Sequence, residues 1–390
     1  MKRAAALAAD AIVGPLAPLL VRHAASSGIP ASPRVLVIRC DHLGDAAMAT
    51  AVLRPLRDAL RPATLDVLAG PWAAPIFEGH PAVDRVIQFT APWWSAARGA
   101  SLHTRAKNWI DLPRAIREVR SERYDVAIDL RGDLRQIVLF LALGGMPVRV
   151  SSDRTGGRRL LTHVWPHDAS KHEVEKNFAI AALVGATGAP HLDIVPAAVP
   201  SDAMRALLTD GSIARRYAAF ALHGSEPNRS WPAANAAAVA DVLFKEHGLA
   251  SVYLGAAADT TAGDEVATLA RSPVINLAGR TTIAEALTLL QHAAVTIAVD
   301  SGPMHLATAV GSPVVALFGP GDRRECGPWT GTAETAGNAQ VVTVGSPCGC
   351  VHRQCDYIAG PGRCMRAIGS NAVIDAVRAV LNQRERTARL

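Results

Sequence analysis

One pattern constrains this chain more than any other: short apolar runs alternate with helical stretches, and the alternation starts twice. The first set of runs is RVLVIRC (34–40), TLDVLAG (64–70), AVDRVIQF (82–89) and YDVAIDL (124–130), with helical stretches such as 46–60 and 108–122 between them. Several runs are apolar nearly throughout rather than at every second position, as expected of strands covered by helices on both faces. A loose segment rich in Pro and Ala at 189–203 follows. The pattern then restarts with YAAFALHG (217–224), ASVYLGA (250–256), PVINLAG (273–279), AVTIAVD (294–300) and PVVALFG (313–319). Two such sets predict two doubly wound α/β domains with right-handed crossovers. A length of 390 residues suits two cores better than one.

The divisions predicted are an extension over 1–33, a first Rossmann-like domain over 34–195, a linker over 196–212, a second Rossmann-like domain over 213–368 and a closing piece over 369–390. That piece contains a helix at 371–384 with Val373, Ile374, Val377 and Val380 on one side. The stretch 90–107 has neither period and reads as a surface loop. Residues 4–21, led by Lys2 and Arg3, are alanine-rich and interrupted by Asp10 and two prolines, which argues against a transmembrane helix. Three readings stand for them: a signal peptide, an amphipathic helix lying on a membrane with Leu7, Leu16, Leu19 and Leu20 on its apolar side, or a packed N-terminal helix.

Hydrophobic residues make up 49% and charged residues 19%, which excludes a disordered chain. The net charge of +6 favours acidic substrates or anionic surfaces. With no basic run interleaved with aromatics, a nucleic-acid partner is not expected.

Ligands of open parallel sheets bind beyond the carboxyl ends of the strands, so chemistry is sought at strand–helix junctions. In the second domain the clearest junction is Asp300-Ser301-Gly302-Pro303-Met304-His305. Ser301 is placed to cap the next helix and Pro303 suits its first turn. Gly302 allows close backbone approach, and a helix start with His305 one turn in offers a seat for a diphosphate; an ordinary capped helix with a surface histidine is the plainer reading. The segment His223-Gly224-Ser225-Glu226-Pro227-Asn228-Arg229-Ser230-Trp231-Pro232 puts Arg229 in a loop at the same edge, where a guanidinium can pair with phosphate. Asp259, after the next strand, fits ribose hydroxyls or a helix cap equally well. Thr281 and Thr282 are good caps that also suit contact with a base. No G-x-G-x-x-G follows a strand (Gly319-Pro320-Gly321 comes nearest) and no G-x-x-x-x-G-K-[ST] occurs, so dinucleotide and P-loop readings lose their support.

In the first domain the opening strand runs into Asp41-His42-Leu43-Gly44-Asp45. Asp45 fits two roles: a helix-start residue stabilised by the dipole, or a base that deprotonates a hydroxyl. For sugar transfer with inversion, one carboxylate on the attack side suffices while a helix N-terminus and Arg229 stabilise the leaving diphosphate without a metal. Arg131, Arg135, Arg98, Arg105 and Lys107 are candidates for holding an anionic acceptor, with Trp93 or Trp94 stacking on sugar; each reads equally well as a solvated surface residue. Near the end, Cys348, Cys350, Cys355 and Cys364 form a C-x-C-x₄-C-x₈-C cluster that suits a structural zinc ion, free thiols or a disulfide, with no catalytic role implied.

Taken together, these junctions resemble glycosyltransferase family 9, the ADP-heptose:lipopolysaccharide heptosyltransferases. The resemblance is carried by RVLVIRCDHLGDAAMATAVLRPLR (34–57), YDVAIDLRGDLR (124–135), HGSEPNRSWP (223–232) and VDSGPMHLATAVGSPVVALFGP (299–320). It implies a GT-B fold, two Rossmann-like domains facing across a crevice, with metal-independent inversion and a C-terminal helix that crosses back to the first domain. The family's base falls on Asp45, its donor-site acid on Asp259, and its phosphate-binding turn on Asp300, Ser301, Gly302 and His305. Ser225, Arg229 and Thr281 complete the expected donor side. The implied reaction moves a heptose from a nucleotide sugar, ADP-heptose by preference, to an anionic lipid-linked saccharide of the lipopolysaccharide core, in the cytoplasm or at the cytoplasmic surface of the inner membrane. No cofactor is expected for catalysis.

Two departures stand out: Arg229-Ser230-Trp231 replaces a Lys before the aromatic–Pro pair, which bears on donor identity, and 33 residues precede the first strand. Alternatives are transfer from another nucleotide sugar, nucleotide-sugar 2-epimerisation, or binding without catalysis.

Overall fold

The computed structural model describes residues 2–21, 28–93, 101–196, 216–224, 227–331, 341–345 and 362–387. The chain divides into two compact units, Met1–Leu192 and Asp193–Leu390. The first carries strands β1 (Arg34–Arg39), β2 (Thr64–Ala69), β3 (Arg85–Gln88), β4 (Val126–Asp129), β5 (Val148–Ser152) and β6 (His163–Trp165). The second carries β7 (Tyr217–Ala221), β8 (Ala250–Tyr253), β9 (Val274–Asn276), β10 (Val295–Val299), β11 (Val314–Phe318) and β12 (Val341–Gly345).

All neighbouring strands pair in parallel, in the orders β3-β2-β1-β4-β5-β6 and β12-β11-β10-β7-β8-β9. Read from the opposite edge, the second order repeats the first: in both sheets the unit's first and fourth strands are neighbours. The direction of winding reverses there, the place where doubly wound sheets bind ligands. The alternation of apolar runs and helices thus corresponds to two Rossmann-type sheets, as a GT-B fold requires. β1, β4, β7 and β10 are buried almost throughout, which explains runs with no polar alternation.

The extension belongs to the first unit. The helix Lys2–Val13 leads through a single turn at Gly14–Leu16 into the short helix Ala17–Leu20. Ala17 joins Ile137, Ala142 and Leu160 in a small apolar cluster, and the Asp10 carboxylate accepts from the N–H groups of Gly157 (2.6 Å) and Arg158 (3.0 Å). The expected loop at 90–107 is corrected in its second half. A helix runs over Leu102–Ser121, started by Ser101, whose hydroxyl accepts from the Thr104 N–H at 3.2 Å. That cap sets the start despite weak apolar period in the first turns. Residues 94–100 and most of the linker lie outside the described residues.

The final helix, Ser370–Thr387, buries Val373, Ile374, Val377 and Val380 in the second unit's core beside Trp231, Leu243 and Val315. Its approach is fixed by the Trp231 indole, which donates to the Ile368 carbonyl at 2.9 Å.

Candidate active site

In the first unit, β1 ends at Arg39 and β4 at Asp129, and the two strands are hydrogen-bonded neighbours. The loops that follow them therefore meet although their residues stand far apart in the chain. Arg131 donates to the Asp41 carboxylate and lies 3.7 Å from that of Asp45. Beneath them is Arg39, whose side chain is fully buried. Its Nε is 2.8 Å from Asp41 Oδ1, and its Nη2 is 3.0 Å from both Asp45 Oδ1 and Glu173 Oε1. Nη1 donates to the Leu130 carbonyl at 3.1 Å and the Asn177 side chain at 3.0 Å. Lys176 stands 3.5 Å from Glu173 on the helix Glu173–Ala182.

This cluster sets three carboxylates against three cations. Burial works against the charge on Arg39, but Asp41, Asp45 and Glu173 outweigh it and hold the guanidinium firmly protonated. Burial pushes the Asp41 carboxyl up against the pull of Arg39 and Arg131. Glu173 goes the other way: burial would raise it, yet Arg39 and Lys176 hold it down. The three acids differ most in access. The Asp41 side chain is fully buried and that of Glu173 is 9% exposed, whereas that of Asp45 is 20% exposed. Asp45 is thus the carboxylate of the cluster best placed to meet a reactant.

The loop bearing Arg131 is held from below by Asp129, whose carboxylate accepts from the N–H groups of Gly132 (2.9 Å), Asp133 (3.2 Å) and Arg131 (3.3 Å) and from the Ser151 hydroxyl (2.8 Å). Burial dominates its environment and pushes its pKa up to about 6, with the Ser151 bond opposing. Arg135 makes a forked pair with Asp133 at 2.9 and 2.6 Å and lies 5.1 Å over the Trp93 ring. Trp93 itself packs on the first core, beside Phe89. Lys107 is exposed on the helix Leu102–Ser121; Trp94 and Arg98 lie outside the described residues.

In the second unit the junctions after β7, β8, β9 and β10 bring the remaining candidates to one edge of the sheet. Asp300 follows β10, and its neighbour β7 leads into the loop bearing Arg229. Arg229 Nη1 is 3.4 Å from both the carboxylate and the carbonyl of Asp300. Gly321, in the loop after β11, lies so close to Asp300 that a Cβ would stand 2.3 Å from Oδ2. Only glycine leaves that carboxylate where it is.

Ser301 occupies the N-cap position of the helix Gly302–Ala309, with Pro303 in its first turn, but it does not cap it as the sequence suggested. Its hydroxyl donates instead to the Val299 carbonyl at 3.2 Å, because the extended backbone at Ser301 (φ −157°, ψ 172°) turns the side chain back along the strand. The helix start therefore carries no side-chain cap. His305 is buried in this helix.

Asp259 stands at the N-cap position of the helix Thr260–Leu269 without capping it; its Oδ2 instead accepts from the Ala256 N–H at 2.8 Å across the preceding turn, just beyond β8. Thr282 caps the helix Ile283–His292 by accepting from the Glu285 N–H at 3.2 Å, and Thr281 precedes it, half-buried. Ser225, Cys348, Cys350 and Cys355 fall outside the described residues, while Cys364 is buried. Among the described residues no group of His, Cys, Asp and Glu side chains is arranged to hold a metal ion.

The model of glycosyltransferase family 9 (heptosyltransferase) matches residues 113–353, more than half of the chain. The chain belongs to this family. It is a glycosyltransferase of the same group as lipopolysaccharide heptosyltransferase 3 of Escherichia coli K12, with which it is 28% identical over 74% of its own length and 83% of the relative's. Lipopolysaccharide heptosyltransferase 1 of Pseudomonas aeruginosa is 28% identical over 83% of this chain and 88% of that one. Among solved structures, the ADP-heptose lipopolysaccharide heptosyltransferase II of E. coli superposes with a TM-score of 0.70 at 23% identity, covering 90% of this chain and 99% of that chain. A family 9 glycosyltransferase from Veillonella parvula gives 0.71 at 20% identity, covering 92% and 100%. These two establish the shared fold.

Sequence reasoning missed Arg39, Glu173 and the pairing of His223 with Tyr253 at the glycosyltransferase's edges. Arg39 was visible as a lone cation in a buried run. Glu173 had no local signal. The His223–Tyr253 pair, 2.5 Å between Nδ1 and Oη, links the ends of β7 and β8. Burial lowers the His223 pKa against the pull of Asp259 and Glu265.

Proposed function

We propose that this glycosyltransferase moves a heptose from ADP-heptose to an anionic, lipid-linked saccharide of the lipopolysaccharide core, with inversion and with Asp45 as general base. The donor reading rests on the family and on the names of its relatives. The observation that carries the mechanism is the difference in access within the first unit's cluster, where Asp45 is the most open of three acids held by the same guanidinium.

In the transfer the acceptor hydroxyl gives its proton to Asp45 as its oxygen attacks the anomeric carbon. The bond from that carbon to the diphosphate oxygen breaks, and its electrons leave with the nucleoside diphosphate. The cation-like sugar in the transition state calls for no second carboxylate when the leaving group is already a good one. Arg229, the uncapped start of the helix Gly302–Ala309 and His305 are the groups suited to the charge on the departing diphosphate. Asp300 orients Arg229, and Asp259, Thr281 and Ser225 are assigned to the nucleoside side. Arg131, 3.7 Å from the base, and Arg135, in the segment after β4, are assigned to the anionic acceptor. The acceptor is met on the cytoplasmic side of the inner membrane.

Asp45→Ala tests this. Turnover should fall by about a thousandfold or more, at the upper part of the range for general-base removal, while donor affinity by calorimetry stays within a few-fold. Near wild-type turnover would reduce Asp45 to a helix-start residue. A product formed from donor alone would replace transfer by epimerisation.

A further inference from the structure

The extension of the first unit is amphipathic the wrong way round for a helix facing water. Within residues 4–21 the only charged or hydrogen-bonding side chain is that of Asp10, and it points inward to the turn at Gly157 and Arg158. The positions facing the protein are small, Ala6, Gly14 and Ala17. Gly156 completes the fit: with φ +99°, it approaches so closely that a Cβ would lie 2.9 Å from the Ala6 carbonyl oxygen. The outer side is left to Leu7, Ile12, Leu16 and Leu19, which are 47–77% exposed, and every other exposed position between 4 and 20 is alanine or proline. An isolated exposed leucine needs no explanation, but an outer surface with no polar side chain does.

We propose that this face is an in-plane docking surface for an anionic phospholipid bilayer. Charge selects that occupant. In the sequence Lys2 and Arg3 lead into the apolar segment and Arg22 follows it, so basic residues flank it on both sides while its one acid is turned away. Two copies packed through this face would bring basic ends together in either orientation, whereas anionic headgroups would meet both ends favourably. The segment is not a span: Asp10 and the small positions Ala6, Gly14 and Ala17 are packed against the first unit, and no helix among the described residues is long and apolar enough to cross a membrane. An apolar face with basic flanks instead lies in the interface, its leucines among the upper acyl chains. The surface is independent of the transferase reading, because no residue of either edge takes part in it.

The test is flotation of the full chain with vesicles of phosphatidylethanolamine and phosphatidylglycerol, against vesicles of phosphatidylcholine alone. The wild type should float with the anionic vesicles and much less with the zwitterionic ones. The variant Ile12→Glu/Leu16→Glu/Leu19→Glu changes only exposed positions. It should retain the wild-type far-ultraviolet spectrum and lose about tenfold or more of its vesicle-bound fraction, since apolar burial and headgroup attraction are both removed. Failure of the wild type to float, or equal flotation of a folded variant, would overturn the proposal. So would a wild-type dimer that becomes monomeric in the variant without any vesicle binding, which would assign the face to a second copy. A Leu16→Met/Leu19→Met variant, which keeps the face apolar, should float like the wild type; its failure to do so while folded would also count against the proposal.

Discussion

Replacing Arg39 by Met is the most informative single change in the first unit. The guanidinium is fully buried and faces Asp41, Asp45 and Glu173 at 2.8–3.0 Å while also serving Leu130 and Asn177. Removing one partner of a buried ion pair costs about 3–5 kcal/mol, because the partner's charge stays behind uncompensated. For a unit of 192 residues, each kcal/mol moves Tm by about 2–4 °C. The first unit's transition should therefore fall by roughly 6–20 °C, and the second unit's should stay in place.

The loss should also depend on pH, with a sign that the cluster dictates. Without Arg39, Asp41 and Glu173 keep their burial and their acidic neighbours but lose their main counter-charge. Their folded pKa values then rise above the ordinary carboxylate range of about 3.9–4.3. Carboxyls raised in this way stabilise fully below the unfolded value and lose that contribution as pH climbs through the folded value. The deficit of Arg39→Met relative to wild type should accordingly be larger near about pH 8 than near about pH 5. Differential scanning calorimetry at both pH values reads the two transitions separately. A deficit below about 1 kcal/mol, typical of an exposed pair, or one that ignores pH, would refute the account of the cluster.

Three further outcomes follow from the same geometry. Gly321→Ala sets a methyl 2.3 Å from the Asp300 carboxylate; donor affinity by titration calorimetry should drop about tenfold, a coupling of about 1.4 kcal/mol, and an unchanged affinity would detach Asp300 from the donor site. Asp129, raised to about 6 by burial, contributes stability in full below its ordinary value and loses it as pH rises through about 6. Asp129→Asn should thus gain on wild type by up to about 3 kcal/mol between about pH 4 and pH 7 in urea melts, and a pH-independent gap would refute it. Turnover should persist in EDTA, since Arg229 and a helix start are assigned to the diphosphate; loss of activity restored by a divalent cation would reject that assignment.

The central strands of both sheets and the junctions after β7, β8, β9 and β10 were legible because burial on two faces leaves unbroken apolar runs and because turn residues mark where strands end. β5, β6 and β12 were not: β5 includes Arg149, Ser151 and Ser152, β6 is three half-buried residues at a sheet edge, and β12 is a five-residue run at the edge of the other sheet. The helix Leu102–Ser121 was half-hidden because its first turns, LHTRAK, show little apolar period, and its true start is set by one serine hydroxyl. In the site, Asp45 and Arg131 were marked by their positions after buried strands. Glu173 was not, since it reaches Arg39 from 134 residues away on a helix whose sequence says nothing of its neighbour. Ser301 shows the limit of local rules, for a residue favourable at a cap spends its hydroxyl on the strand behind it.

The reversal of strand order has a consequence for how the molecule comes into being. Asp41 and Arg131 are 90 residues apart, and Arg229 and Asp300 are 71 apart, yet each pair meets across a single strand boundary. Loop closure over such spans is entropically costly and comes late. A chain emerging from the ribosome holds Asp41 and Asp45 well before β4 arrives to supply Arg131. For each unit, capacity to bind should appear only when its fourth strand has inserted, so acquisition of ligand affinity would serve as a clock for the completion of each sheet.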